Sequence, residues 1–166
     1  MPRTAEETVR SYFDAVIARD PDAMAEHWAE DGIEEILPVG IFRGPEEVKA
    51  WFTELFTAIP DAEMTIERVL AQDDNVLVQW RAGGNFTGGR LNGIDPTGRH
   101  IELRGLDWLE VKDEKVVRNT AFADGAALAR GMGLLPPEGS AAEKAMFSAF
   151  NAFTKARGAV SDVLSR

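Results

Sequence analysis

The chain's 166 residues include 18 Lys+Arg, 28 Asp+Glu and no cysteine, with a formal net charge of -10 and 45% hydrophobic residues. That length and apolar content predict one domain with a full core, while the acid surplus argues against nucleic acid or anionic lipid as partners. Without cysteine there is no disulfide, Cys-ligated zinc, iron–sulfur cluster or thiol catalysis, and no apolar run approaches the roughly 20 residues of a membrane span.

The N-terminal MPRTAEETVR lacks the apolar stretch of a secretion signal, so a cytoplasmic protein is expected. Thr4 and Glu7 have the spacing of a capping box. Behind them Val9, Tyr12, Phe13, Val16 and Ile17 recur at helical spacing, predicting a helix to about Ala18. Asp20-Pro21 starts a second, short helix carrying Met24 and Trp28, which Gly32 stops. Ile33 to Leu37 reads as a short strand. Gly44-Pro45 opens a helix whose apolar stripe (Val48, Trp51, Phe52, Leu55, Phe56, Ile59) is unbroken up to Pro60.

From there the texture becomes that of strands, at about 63–71, 75–87, 99–111 and 115–123, separated by turn-forming clusters. Helix returns at 126–132, is broken by Leu135-Pro136-Pro137, and resumes after Ser140, with Met146, Phe150 and Phe153 marking a face expected to be buried. Beyond Arg157 the pattern fades. Helices followed by a meander of long strands predict an α+β domain. Its strongly curved antiparallel sheet forms a cone, with helices on the concave face and a ligand pocket inside. The domain is expected at 1–135, and 136–166 as a helical extension packed on it or on a dimer partner.

On the third long strand Ile101, Leu103, Gly105, Asp107, Leu109 and Val111 share a face, and only Asp107 is polar. A carboxyl on a core face must find donors or hold its proton. Trp51, Phe56 and Trp80 are expected to form the apolar wall, and Asn119 to hydrogen-bond a ligand if the odd residues of the final strand face inward. Asp124, just before a helix, is a candidate acid/base whose competing role is an N-cap. Leu106 and Trp108 lie on the opposite face, which implies a partner, most simply a second copy. No His/Asp/Glu spacing suggests a metal, and the Gly83-Gly84 and Gly88-Gly89 pairs lack the context of a phosphate loop.

Five strings taken in order (Tyr12 to Asp20, Trp28-Ala29-Glu30-Asp31, Phe42-Arg43-Gly44, Asp95-Pro96-Thr97-Gly98-Arg99, and Asp124 with its helix) resemble the SnoaL-like polyketide cyclase branch of the nuclear-transport-factor-2-like superfamily, a cystatin-like fold. The resemblance covers about residues 5–135. It implies a cofactor-free enzyme acting on a small apolar carbonyl compound of polyketide, terpenoid or steroid type. The reaction implied is isomerisation or aldol-type cyclisation. Tyr12 and Asp107 match the oxyanion donors of the steroid-isomerase relatives, and Asp124 the acid/base aspartate of the cyclases.

The steroid-isomerase base position, just before the hairpin proline, is Leu37 here, with Glu34 and Glu35 two or three residues away. Epoxide hydrolysis is disfavoured because Arg81 is followed at i+2 by Gly83 and Arg104 faces away from Asp107. Dehydration is disfavoured because His100 has the wrong strand parity and His27 reads as structural. The alternative is a non-catalytic ligand-binding or dimerisation domain.

Overall fold

The computed structural model of the chain describes residues 2–164, so the last two residues of the expected extension lie outside it. Its elements are α1 (Ala5–Ala18), α2 (Pro21–Ala25), β1 (Trp28–Leu37), β2 (Gly40–Arg43), α3 (Gly44–Ala58), β3 (Glu63–Gln72), β4 (Asn75–Asn85), β5 (His100–Lys112), β6 (Lys115–Ala123), α4 (Gly125–Met132) and α5 (Ala141–Leu164). The caps form as their sequences dictate. The Thr4 side chain accepts from the Glu7 amide while Glu7 accepts from the Thr4 amide, and Asp20 accepts from Ala23 ahead of the Pro21 start of α2.

The strands form one open sheet in the order β2-β1-β6-β5-β4-β3. All neighbours are antiparallel except β1 and β6, which run parallel with Glu34 opposite Asn119. This parallel pair departs from the expected purely antiparallel sheet. It arises because β1 and β6 are far apart in the chain, so no hairpin dictates their direction. α1 crosses the inner face over β3 to β6, α3 covers β1 and β2, and α4 lies on β5.

Two expectations are corrected. Trp28 begins β1 and is not part of α2, which ends at Ala25. Met146, Phe150 and Phe153 do not form a buried face: Phe150 and Phe153 are 66% and 60% exposed, with Met146 and Phe147 also exposed. The stripe has helical spacing, and α5 continues to Leu164, but among the described residues that face stays exposed, with Arg157 over the Phe153 ring. Its base is fixed by the Ser140 hydroxyl, which accepts from the Glu143 amide, and by an Arg130–Glu143 ion pair at 2.9 Å joining α4 to α5.

Two apolar clusters fill the interior. One joins α1 (Val9, Tyr12, Phe13) to β4 and β5, and the other gathers Trp51, Ile59, Phe86, Leu91, Ile101 and Met132 around α3 and α4. Between them lies a cavity. Among the described residues, no helix is long and apolar enough to cross a membrane.

Candidate functional site

The register of four neighbouring strands assembles the site. Asp107 on β5 stands opposite Val78 of β4 and Ala121 of β6, so Trp80 and Asn119 are its diagonal neighbours on the inner face. Both reach it. Trp80 Nε1 donates to Asp107 Oδ1 at 2.7 Å, and Asn119 Nδ2 donates to Oδ2 at 2.9 Å. Trp80 can lie flat here because Gly105 is directly opposite it: a Cβ on Gly105 would come within 2.2 Å of the indole.

On β1 the inward residue beside Asn119 is Glu34, 1% exposed. The same Asn119 Nδ2 donates to both Glu34 oxygens, at 3.1 and 3.2 Å. One amide thus ties together two buried carboxyls.

Burial sets the chemistry. For Asp107 the loss of water pushes the carboxyl up to about 6, against the downward pull of the Trp80 and Asn119 donors. Glu34 is held well above the carboxylate range by burial first and then by the adjacent Asp107 charge, with only Asn119 opposing. Both carboxyls are thus held up by lost hydration, and their mutual repulsion couples the two titrations. Tyr12, 1% exposed, is also pushed up by burial and by the two carboxyls, so its hydroxyl stays protonated. Its ring is fixed by edge-on contacts with Phe13 and Trp28.

Tyr12, Glu34 and Asp107 all line the cavity, which encloses about 160 Å³. That is close to the roughly 150 Å³ of a protein cavity that takes up one benzene. Apart from Glu63 and Asn92 the remaining wall is mainly apolar, with Trp51, Phe52, Leu55 and Trp80 among its residues.

The expected residues are thus partly brought together. Tyr12, Asp107, Trp51 and Trp80 border the cavity. Phe56 does not: it packs on Phe52 at 5.9 Å within the core, one helical position away from the lining set by Phe52 and Leu55. Asn119 faces inward, but its amide is spent on the carboxyls and it is not part of the cavity wall.

Asp124 is exposed, lies outside the cavity lining, and accepts from the Ala127 amide at 2.9 Å as the N-cap of α4. The capping geometry directs its carboxylate at its own helix. Glu34 is the residue that sequence reasoning passed over. Its signal is strand parity: Gly32, Glu34 and Ile36 alternate inward, in a phase that reaches Trp28 only across the irregularity between Trp28 and Ile33.

Leu37 lies at the cavity edge. His27 bonds Ser11 Oγ and the Ala23 carbonyl, and His100 bonds Asn85, so both histidines are engaged away from the carboxyls. Among the described residues no cluster of three or more His, Asp or Glu could hold a metal.

The family model for SnoaL-like polyketide cyclases matches residues 6–132. A comparison with curated proteins gave no match. Among solved structures, a candidate SnoaL-like polyketide cyclase from Jannaschia sp. CCS1 is 25% identical, with a TM-score of 0.71 over 80% of this chain and 93% of that one. AclR from Streptomyces galilaeus, described as a candidate hydroxylase, is 19% identical (TM-score 0.68, 80% of this chain and 87% of that one). IdmH from Streptomyces antibioticus, a candidate polyketide cyclase, is 20% identical (TM-score 0.65, 79% and 99%). The last two likenesses speak to the fold alone.

Proposed function

The chain belongs to the SnoaL-like polyketide cyclase family, and from that premise we propose that it abstracts a proton next to a carbonyl of a small apolar compound bound between Tyr12, Glu34 and Asp107. Family membership supports a cyclase- or isomerase-type activity in general terms. The finer reading rests on one observation: two buried carboxyls held by the same Asn119 amide at the wall of an apolar cavity. Inequivalent carboxyls of this kind divide base from acid.

Asp107, ionising at about 6, is suited to take a proton from carbon near neutral pH. The C–H electron pair moves into the enolate, whose oxygen accepts hydrogen bonds from protonated Glu34 and from Tyr12. Asp107 then returns the proton to another carbon, which is isomerisation. Alternatively the enolate carbon bonds to a second carbonyl carbon, whose π pair moves to its oxygen and takes the proton, which is aldol-type closure. Exchange of α-hydrogens for deuterium in cyclohexanone, a ketone of cavity size, is the test. Wild-type protein should accelerate exchange, and absence of acceleration contradicts the reading.

We also propose a homodimer, because the chain leaves large apolar side chains exposed on two surfaces. Leu106, Trp108 and Phe122 are exposed on the outer sheet face, and Phe147, Phe150 and Phe153 on α5. Light scattering should give twice the 18.2 kDa chain mass at micromolar concentration, and a monomer would count against it.

A further inference from the structure

One polar group on the cavity wall has no task in that mechanism. Trp51 is 7% exposed and lines the cavity, and its Nε1 has no hydrogen-bond partner. Phe42 stacks on its ring at 5.2 Å and 19°, which covers a face but leaves the N–H, in the ring plane, unpaired. A buried donor without a partner is costly, and such groups in native proteins usually have a reason. Trp80, the other indole on this wall, already donates to Asp107. Trp51 belongs to the apolar cluster around α3 and α4 whereas Tyr12 and Trp80 belong to the other, and the cavity is lined from both.

We infer that the enclosed part of the substrate carries a second oxygen, remote from the carbonyl at the carboxyl pair, which accepts a hydrogen bond from Trp51 Nε1. This rests on the reading of the cavity as a carbonyl site and narrows it to compounds with two oxygens spaced across about one ring. Trp51 is then a substrate-orienting donor. It fixes which carbon faces Asp107, and a compound lacking the second oxygen leaves the indole unpaired and is discriminated against.

Affinities of cyclohexane-1,4-dione and cyclohexanone for wild type and Trp51→Phe test this, since phenylalanine keeps the stacking on Phe42 but removes the donor. Trp51→Phe should lower the dione-to-cyclohexanone affinity ratio about fivefold, whatever the smaller ring does to both ketones alike. In wild-type protein the Trp51 indole proton resonance should move downfield with the dione and not with cyclohexanone, a readout independent of how the variant folds. An unchanged dione-to-cyclohexanone ratio, with no selective indole shift, overturns the inference while leaving the Asp107 chemistry standing. If neither ketone binds, both fall.

Discussion

Replacing Asp107 with asparagine should lower α-hydrogen exchange in a cavity-sized ketone by about 10²- to 10⁴-fold, the usual share of a positioned general base. Asparagine is nearly isosteric and can still accept from Trp80 Nε1, but its NH2 then faces the Asn119 donor, so the variant's melting temperature is measured beside its rate. The contrast is Asp124→Ala. Because Asp124 caps α4 from the surface, its removal should cost about 1 kcal/mol of stability and leave exchange within twofold of wild type. A large loss of exchange in Asp124→Ala with little in Asp107→Asn would reverse the assignment. In the wild type the rate should climb as pH rises through about 6, where Asp107 loses its proton, and fall only where Glu34 loses its own. The two apparent values belong to the pair, since the carboxyls interact.

Glu34→Gln should make the protein more stable at pH 8 and slower at exchange. The sign follows from proton counting. Glu34 and Asp107 both bind protons more tightly folded than unfolded, so above the ordinary carboxylate range the folded state holds more protons and stability falls as pH rises. For Asp107, moved from 3.8 to about 6, the loss is on the order of 3 kcal/mol and is complete above the folded value. For Glu34 the loss continues to higher pH. Glutamine carries no charge in either state, and its carbonyl still accepts from Asn119.

The melting temperature of Glu34→Gln at pH 8 should therefore exceed that of wild type, each kcal/mol appearing as about 2–4 °C for a domain of this size. The advantage should shrink toward pH 4, where the unfolded glutamate is protonated as well. Equal melting temperatures across that range would mean that Glu34 is not held neutral by the fold. A gain in stability with a loss of rate is expected where a site keeps a carboxyl its surroundings disfavour.

Asp107 was legible because a single carboxyl broke an otherwise apolar alternation on a long strand, and period-two parity is reliable inside such strands. Tyr12 and Trp51 were legible in the same way from helical spacing. Glu34 was not, since Glu34-Glu35 in a short segment resembles a solvated pair, and its inward phase depends on Trp28 belonging to β1. That boundary rests on a bulged, parallel pairing with β6, a contact between distant parts of the chain that no local pattern encodes.

Strand parity turns Asn119 inward, but its partners sit on two other strands, so its task is not readable from β6 alone. Phe56 and Phe52 sit on one stripe, and only the tilt of α3 decides which of them meets the cavity. For Asp124, cap and base make the same sequence signal, and the structure chooses by where the carboxylate points. The exposed stripe of α5 shows the converse limit: spacing predicts an apolar face, not what it packs against.

The central claim is that the fold withholds water from two carboxyls and makes them share a proton. It is tested most directly by following the side-chain carboxyl ¹³C resonances of Glu34 and Asp107 through a pH titration of the native protein. The expected result is an Asp107 transition near pH 6 with Glu34 titrating above it. Both carboxyls ionising together near pH 4, as free side chains do, would contradict it.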